Sequence, residues 1–460
     1  MRFTELLAQY TLDLKFEDLD SAAVTEAKIF FLDSFGCLLA GINEEPVSIA
    51  IRYTEKVGGA PASSLIGKKG QRTDTYNAAI INGIAAHVHD YDDVLQTMDG
   101  HPSAVVLPVT LAVAEAAGSS GKDTLLAYIL GVQVCFLAGL AVNKNSQYYG
   151  KGWHCSGSLG IFGATAAAGR LLGLNKQQLV YAFSMAASES SGLKGNFGTM
   201  TKALHVGRAA AKGFYCASMA LLGYDANPDI IEMQEGFAYI SGSEVDLVAV
   251  ENFIKSKTSA FLKPGLTMKA WPSCKQNHSA INSIQTLQEK YAFSANDVDR
   301  IHCLIQPVIR DCLKYTSPVT TMQGKFSLNY NLALATLYGT AALEHFDGEN
   351  ITDQKAIDFM PKISMEVDME ISDGLYNNGK YDCIVIVYLK DGRVLEEHTV
   401  SAKGDAENRM TDKDVYSKFF DCAKRAVKQE AIESIYNNIQ TFESVRSTRE
   451  FVAKIDSAAL

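Results

Sequence analysis

The stretch HVHDYDDVLQTMDGHPS, residues 87–103, contains three histidines and four aspartates within seventeen positions. Side chains of these types can hold a metal ion, transfer protons, or form a solvated turn. Two metal patterns fail here: Gln96 stands where a DDxxD motif beginning at Asp92 needs its last acid, and no H-E-x-x-H pair occurs. The dipeptide His89-Asp90 also occurs in helical metal phosphohydrolases, so a metal site stays open as the alternative.

Proton transfer fits these residue types better than metal binding. Removing a proton beside a carboxylate creates an enolate-like dianion, which needs a base with a pKa near neutrality and fixed positive charge near its oxygens. The sequence offers four groups for such a site, with Asp90 to orient a partner: His101, His154, Lys202 and Lys269. We therefore predict acid/base chemistry that needs no metal and no cofactor.

A glycine-rich loop in YGKGWHCSGSLGIFG, residues 149–163, leads into a predicted helix. Unpaired N–H groups at a helix start attract a carboxylate or a phosphate, and Ser156 lies close to them. A plain N-terminal cap explains the serine equally well. It explains His154 less easily, so both a functional and a structural interpretation of this histidine stay open.

A second loop, in SSGLKGNFGTMTKALHVGRAAAKG, residues 190–213, places Lys202 in the first helical turn, three positions before His205. A lysine there opposes the helix dipole unless an anion is bound, so Lys202 indicates an anion site. The loop does not match G-x-x-x-x-G-K-[ST], and no G-x-G-x-x-G opens a helix after a strand. Nucleotide binding is therefore not predicted.

A third basic loop, KPGLTMKAWPSCKQNHSA, residues 263–280, lies where the helical part of the chain meets a mixed part. It carries five side chains that could face a ligand: Lys263, Lys269, Cys274, Lys275 and His278. Ligand clefts commonly form between domains, so a cationic junction facing two anion-binding helix starts predicts a polycarboxylate pocket. The alternative is a solvated basic linker, which the loop taken alone favours. Cys274 is expected to pack rather than to act as a thiolate.

The composition limits the partners and the location. A net charge of -10 repels phosphate backbones and acidic membrane surfaces, so we expect a small anionic substrate and neither nucleic acid nor a membrane as partner. The N-terminus lacks the apolar core of a signal peptide, which predicts a cytoplasmic protein. Most of the nine scattered cysteines, which form no C-x-x-C pair, are expected in the core. The apolar stretch 125–142 contains Gln133 and two glycines, which favours a core helix over a membrane span.

Helical periodicity dominates up to about residue 260, and no strand is predicted there. The segment 24–41 predicts a helix that stops at Gly41 as its C-terminal cap. The segments 159–173 and 206–223 are rich in Gly and Ala, which is typical of central helices in a packed bundle.

Residues 265–400 show a different pattern, with a helix predicted over 326–346. Alternating or β-branched runs predict three strands, at 300–309, 361–372 and 381–389. A two-residue hairpin turn at 390–393 leads into VLEEHTV, so an antiparallel sheet is expected. Helical patterns return at about 412. We predict a mainly α fold, with an all-helical domain formed by both chain ends (1–264 plus 401–460) and an inserted α+β lid domain (265–400).

Five motifs resemble those of the MmgE/PrpD family in their order along nearly the whole chain. HVHDYDDV followed by GHPSAVVLPVTLAVAEA is similar to the family signature HALDFDDT and HPSAPVLPAALALAE. Further motifs match in GWHCSGSLGIFGATAAAGRLLGL, FGTMTKALHVGRAAAKG, KAWPSC and KFSLNYNLA. The resemblance implies a large helical domain, a smaller α+β lid and a homodimer. Its members include 2-methylcitrate dehydratase, cis-aconitate decarboxylase and iminodisuccinate epimerase.

Resemblance to the decarboxylase branch implies active-site roles for six residues: Asp90, His101, His154, Lys202, Lys269 and Tyr330. Two departures weigh against that branch rather than against the fold. Val94 stands in place of a threonine, and Cys274 stands in place of a histidine. The segment LQTMDG before His101 is also one residue longer than in the decarboxylase.

We predict a cofactor-independent lyase that removes a proton beside a carboxylate of a di- or tricarboxylate, most simply a hydro-lyase of the 2-methylcitrate dehydratase type. The alternatives are iminodisuccinate epimerase or cis-aconitate decarboxylase activity and, outside the family, a metal-dependent helical phosphohydrolase or a non-catalytic carboxylate-binding protein. His101 or His154 would exchange the proton, and Tyr330 could protonate a leaving hydroxyl. The residues expected to bind substrate are Lys202, Lys269, Cys274, His205 and Ser156.

Overall fold

The structure is a computed structural model that describes residues 2–371 and 381–460, and it is mainly α-helical. The helices up to residue 256 are α1 (Phe3–Asp13), α2 (Ser21–Gly41), α3 (Glu45–Val57), α4 (Thr75–His87), α5 (Pro102–Ala117), α6 (Gly121–Val142), α7 (Gln147–Gly150), α8 (Cys155–Ser158), α9 (Gly160–Leu171), α10 (Lys176–Glu189), α11 (Thr201–Leu221), α12 (Phe237–Ile240) and α13 (Leu247–Ser256). Two short strands lie among them, β1 (Ser63–Ser64) and β2 (Arg72–Thr73).

The remaining elements are α14 (His278–Tyr291), β3 (Val298–Ile305), α15 (Pro307–Cys312), α16 (Thr321–Gly324), α17 (Leu328–Tyr338), α18 (Gln354–Phe359), β4 (Ile363–Val367), β5 (Cys383–Leu389), β6 (Val394–Thr399), α19 (Asp412–Ala423), α20 (Gln429–Gln440) and α21 (Thr448–Ala458). Strands β4 and β5 lie within the predicted segments 361–372 and 381–389. Strand β3 covers the predicted segment 300–309 only as far as Ile305, because residues 307–309 belong to α15. The predicted helix over 326–346 is confirmed in its first part, as α17. Ser372, the last residue of one predicted strand segment, lies outside the described residues.

Helices α4, α5, α6, α9 and α11 pack closely in the core. A Cβ atom at Gly207 in α11 would lie 2.3 Å from the Ile80 carbonyl oxygen in α4, and one at Gly213 would lie 2.4 Å from the Ala164 Cβ in α9. Small residues therefore let the backbones approach, as predicted for central helices of a bundle. This packing fixes the first turn of α11 beside the last turn of α4.

Helix α6 is the one helix in the described part of the chain that is long and apolar enough to cross a membrane. Its apolar window is 94% buried inside the protein, where it packs against α5 and α9. The prediction of a core helix over 125–142 is therefore confirmed. All nine cysteines are also buried and free, as expected from their scattered positions.

Gly41 does not act as the predicted cap of α2. The helix includes Gly41, and Ile42 after it still has helical torsion angles (φ -66°, ψ -21°). A Cβ atom at Gly41 would lie 2.1 Å from the Ala85 carbonyl oxygen in α4. The helix therefore ends at Gly41 as predicted, but the predicted role as a C-terminal cap is wrong, because the close approach of α2 to α4 requires the glycine.

The larger sheet has the strand order β4-β3-β5-β6. Strands β5 and β6 form the predicted hairpin, and β3 pairs antiparallel with β5. Strands β3 and β4 are parallel, with Ile301 opposite Ile363, so the prediction of a fully antiparallel sheet is wrong. The cause is the connection between them, which runs through α15 to α18 and is long enough to bring the chain back to the end of the sheet at which β3 begins.

Strands β1 and β2 correct a second prediction, that no strand precedes residue 260. Ser63 pairs with Thr73 and Ser64 with Arg72 in an antiparallel pair. Two residues per strand are too few to show an alternating pattern, so the sequence carries no periodic signal for them.

The three C-terminal helices return to the first part of the chain. Helices α19 and α20 pack on α2, and α21 packs on α5. These contacts support, as a proposal, one helical domain built from 1–264 and 401–460 with residues 265–400 as a lid. The arrangement brings side chains from both chain ends close to the loop that follows α4.

Candidate active site

The 87–103 stretch leaves the end of α4 and turns sharply. Asp90 has a left-handed backbone conformation (φ 53°), which is unfavourable for residues other than glycine and is often found at functional sites. Val94 then pairs with Thr267 through two backbone hydrogen bonds of 2.8 and 2.9 Å. Because this pairing joins the stretch to the loop that carries Lys269, two distant segments meet at Asp90.

Asp90 is buried between two ammonium groups. Its Oδ1 accepts hydrogen bonds from Lys202 Nζ at 3.0 Å and from Lys269 Nζ at 2.5 Å, and its backbone carbonyl accepts another from Lys269 at 2.9 Å. Burial opposes the charge on this carboxyl group, but the two lysines outweigh burial and hold the pKa of Asp90 well below its usual range. Asp90 Oδ2 is buried and has no hydrogen-bond partner among the described residues.

His87, the last residue of α4, connects Lys202 to a second carboxylate. Its Nδ1 lies 3.0 and 2.9 Å from the two Asp92 oxygens, and its Nε2 lies 2.7 Å from Lys202 Nζ. Burial lowers the pKa of His87 to about 3, so the ring is neutral. Because an ammonium group only donates, Nε2 accepts from Lys202 and Nδ1 donates its proton to Asp92.

His101 presents a basic nitrogen to a cavity. Its Nδ1 faces two acceptors, the Asp93 carbonyl oxygen at 2.7 Å and Asp92 Oδ2 at 3.2 Å, so Nδ1 carries the proton of the neutral ring. Within the described residues the Nε2 lone pair has no hydrogen-bond donor, and it lies 3.8 Å from Asp90 Oδ1. Burial and the charge of Lys269 lower the pKa of His101 below 6.5, so the ring is neutral at pH 7 and can accept a proton.

His154 precedes the short helix α8 and offers a second ring to the same cavity. Its Nδ1 lies 3.0 Å from His205 Nδ1, so one nitrogen donates and the other accepts. Burial and the charge of Lys202 hold the pKa of His154 well below its usual range. Its Nε2 is buried and has no hydrogen-bond partner within residues 2–371 and 381–460. Such an atom in a cavity wall is where a polar group of a ligand would bind.

The cavity wall contains most of the predicted site residues. Those that line it are Asp90, His101, His154, Lys202, Lys269 and Cys274. Lys269 is fully buried, and buried Lys275 pairs with Asp405 at 3.0 Å, so the 263–280 loop is not a solvated linker.

Two predicted substrate-binding residues, Ser156 and Cys274, carry no charge in the structure. Ser156 acts from behind the cavity wall. Ser156 Oγ accepts the backbone N–H of His101 at 3.0 Å, so it positions the histidine. The Cys274 thiol donates to Gln276 Oε1 at 3.2 Å, and burial raises its pKa to about 12. Cys274 is therefore an uncharged thiol in the cavity wall, which agrees with the expectation that it does not act as a thiolate.

Tyr330 does not reach the cavity. Its hydroxyl donates to the His345 carbonyl oxygen at 2.9 Å, and its ring packs edge-on against Phe346. Tyr149 and Tyr381 line the cavity instead. Burial raises the pKa of both phenols well above 10, so both keep their protons at neutral pH.

Sequence reasoning missed His87 and Asp92 as site residues, although both belong to the opening stretch. A helix would place side chains five positions apart on different faces, whereas the turn at Asp90 brings this pair together. Tyr149 and Tyr381 are missed as well. Tyr149 is the first residue of the 149–163 motif and Tyr381 the first residue of the strand predicted over 381–389, and these positions were an available signal.

The geometry of the site also helps to judge the alternative that these residues bind a metal ion. The ligand atoms of His87, Asp90, Asp92 and His101 lie within 4.8 Å of one another, a spacing that could surround a metal ion. However, Lys202 and Lys269 place two ammonium groups on Asp90 Oδ1, and Lys202 also donates to His87 Nε2. A divalent cation would have to displace both ammonium groups, so this donor set suits acid/base work better than metal binding.

Comparisons with known proteins match most of the chain. The family model of the MmgE/PrpD N-terminal domain matches residues 5–247, and that of the MmgE/PrpD C-terminal domain matches residues 271–441. Similar proteins are the cis-aconitate decarboxylases of Mus musculus and Homo sapiens, each 25% identical over 96% of this chain and over 91% and 92% of their own lengths. The cis-aconitate decarboxylase of Aspergillus terreus is 24% identical over 75% of this chain and 73% of its own length.

Proposed function

The chain belongs to the MmgE/PrpD family, and from this premise we propose that it is a hydro-lyase of the 2-methylcitrate dehydratase type, acting on a di- or tricarboxylate. Its relatives are named as decarboxylases, which are also lyases, so a lyase-type enzyme is the common ground. One observation carries the proposal. The free lone pair of His101 Nε2 lines a cavity beside the ammonium groups of Lys202 and Lys269.

In this proposal a substrate carboxylate binds to Lys202 and Lys269, which Asp90 holds in the cavity wall. His101 Nε2 removes the proton from the neighbouring carbon, and the two ammonium groups stabilise the negative charge that spreads onto the carboxylate oxygens. Asp92, 3.2 Å from Nδ1, stabilises the imidazolium ring that forms. No metal enters any step.

Dehydration also requires a proton for the departing hydroxyl group, because hydroxide is a poor leaving group at neutral pH. Tyr149 or Tyr381 replaces Tyr330 in this role, since both line the cavity and both keep their protons. The substrate hydroxyl would replace the present partner of the phenol, Cys312 Sγ at 3.1 Å for Tyr149 or Asp99 Oδ1 at 3.4 Å for Tyr381. The carbon–oxygen bond then breaks, a carbon–carbon double bond forms, and water leaves.

Cis-aconitate decarboxylase activity is the second candidate, favoured by the names of the relatives. In that reaction a carbon–carbon bond breaks and carbon dioxide leaves, and His101, after taking up a proton from solvent, donates it to the carbanion. The same wall could serve either reaction. Cys274 stands at the cavity where a histidine is expected in the decarboxylase branch, which weighs towards dehydration.

Proton NMR in heavy water tests these reactions together. The purified, chelator-treated protein is mixed with 2-methylcitrate, citrate, cis-aconitate or an aspartate-derived imino acid. We expect loss of water from 2-methylcitrate and deuterium entry beside a carboxylate. Itaconate-type product and carbon dioxide from cis-aconitate would assign decarboxylation instead, and deuterium exchange with inversion of the imino acid would assign epimerisation.

The same experiment can contradict the proposal. Turnover that requires an added divalent metal would make His87 and the aspartates of the 87–103 stretch ligands. Binding of the carboxylates without exchange or turnover would indicate a binding protein. A homodimer and a cytoplasmic location stay predictions, which analytical ultracentrifugation and cell fractionation would test.

A further inference from the structure

A lysine from the C-terminal part of the chain reaches the backbone beneath the candidate site. Lys418, in α19, donates from Nζ to the carbonyl oxygens of Tyr91 and Lys269, each at 2.8 Å. The same ammonium group lies 2.5 Å from Asp33 Oδ1 in α2 and 3.9 Å from the centre of the Tyr91 ring. Two of its N–H groups thus donate to carbonyl oxygens, and its charge pairs with the Asp33 carboxylate.

The two carbonyl groups belong to the segments that present the charged pair of the site. Tyr91 directly follows Asp90, whose backbone is in the left-handed conformation, and Lys269 itself supplies an ammonium group to Asp90. One ammonium group therefore holds both backbones whose separation sets the distance between Asp90 and Lys269. No local signal links Lys418 to these segments, because it lies far away in the sequence.

Burial makes this arrangement costly for stability alone. The side chains of Lys418 and Asp33 are 3% and 0% exposed. A buried ion pair loses the solvation of both charges, and well-packed apolar residues often serve stability as well or better. A positioning role explains why an ammonium group is present here, because an apolar side chain cannot donate hydrogen bonds to two carbonyl groups.

We propose that Lys418 is a positioning residue, whose ammonium group, placed by Asp33, fixes the Asp90 and Lys269 backbones at the spacing that the candidate active site needs. This inference rests on the proposed function for its kinetic readout. Its structural readout is independent of any substrate.

The test compares three variants of the full-length protein. Lys418→Met removes the clamp, and the double variant Asp33→Leu with Lys418→Met also removes the buried charge left behind. The matched control is Lys28→Met. Lys28 also joins α2 to the C-terminal part of the chain, with Nζ donating to the Gln440 carbonyl oxygen at 2.7 Å and to Glu443 at 3.0 Å, away from the cavity.

We expect kcat to fall about 100-fold in both Lys418 variants, with a small change in KM, because a shift of the reacting groups by about 1 Å has costs of this order. The double variant should recover much of the thermal midpoint that the single variant loses, without recovering kcat. Lys28→Met should lower the thermal midpoint and keep kcat. Recovery of kcat together with the thermal midpoint in the double variant would overturn the proposal, as would wild-type kcat in the single variant.

Hydrogen exchange followed by mass spectrometry supplies the second readout. Faster exchange confined to residues 88–95 and 266–270 in both Lys418 variants, but not in Lys28→Met, supports the clamp even if none of the carboxylates is a substrate. Unchanged exchange there contradicts it. An inactive wild-type protein with the expected exchange pattern would count against the proposed function and leave the clamp standing.

Discussion

Asp90 and Asp33 are both buried aspartates paired with lysine, yet their pKa values move in opposite directions. Two ammonium groups outweigh the burial of Asp90 and hold its pKa well below the usual range. Burial dominates at Asp33, where Lys418 is the main opposing charge, and it raises the pKa of Asp33 to about 6. The number of neighbouring cations, rather than burial, separates the two.

Access to the cavity adds a second difference. Asp90 and its two lysines line a wall that also contains the unpaired ring nitrogens of His101 and His154. A ligand in the cavity can therefore bind to the charged groups of this pair. The Asp33 pair lies behind that wall, where the Lys418 ammonium group donates to two backbone carbonyl groups. The same residue types therefore suit chemistry in one place and support in the other. Substitutions at the two sites should separate these two roles.

The largest expected effect is on proton transfer at the Asp90 site. His101→Asn removes the base but keeps the backbone N–H that Ser156 accepts. We expect deuterium exchange beside the substrate carboxylate to fall about 1000-fold, within the range for loss of a general base. Proton NMR in heavy water measures the exchange, and binding of the unreactive tricarballylate by calorimetry should persist.

His302→Asn is the matched control for that substitution, because His302 lies in β3 and contacts Ser364 and Glu366 instead of the cavity. It should keep full exchange. Wild-type kcat/KM should rise with pH through a pKa below 6.5 and then level off, since burial and Lys269 disfavour the protonated ring of His101. Near-normal exchange in His101→Asn would move the base role to His154.

The second effect is on stability. The pH dependence of stability that Asp33 contributes should have the opposite sign to that of Asp90. Asp33 has a folded pKa of about 6, above its usual 3.8, so its contribution to stability is full below about pH 3.8 and is lost as the pH rises through about 6. Asp33→Asn should therefore gain stability relative to the wild type between pH 4 and 7, by about 3 kcal/mol for a shift of about two units.

Asp90→Asn should behave in the opposite way. The folded pKa of Asp90 is depressed, so its stabilising charge is present above about pH 3.8 and is lost only as the pH falls through the lower folded value. We expect Asp90→Asn to be less stable than the wild type throughout pH 4 to 8. Thermal unfolding of both variants across this pH range measures the difference. The same dependence of the thermal midpoint on pH in both variants would contradict the opposite pKa shifts of Asp33 and Asp90.

The helical part of the fold could be predicted because long amphipathic or apolar helices repeat their pattern over many residues. Parallel pairing of β3 with β4 could not, since a strand's partner depends on a connection of four helices and not on its own residues. Gly41 shows the same limit, because a glycine required by a neighbouring helix resembles a glycine that ends one.

The candidate site could be predicted where its residues lie in one stretch or at a helix start, as with Asp90, His101 and Lys202. His87 and Asp92 were passed over because the left-handed turn between them is not visible in a periodic pattern. Lys418 could not be found at all, since its contacts join opposite ends of the chain. Local sequence indicates the reacting groups, whereas the groups that hold them in place appear only after folding.

The smallest expected effect concerns two tyrosines on either side of the cavity wall. Tyr330→Phe should lower stability by about 1 kcal/mol through loss of its hydrogen bond to the His345 carbonyl oxygen, and it should change kcat less than about threefold. Tyr381→Phe is the matched comparison, because Tyr381 lines the cavity. If dehydration needs a phenol from the wall, kcat falls for Tyr381→Phe alone. A larger loss with Tyr330→Phe, at equal thermal midpoints, would mean that Tyr330 turns into the cavity when substrate binds.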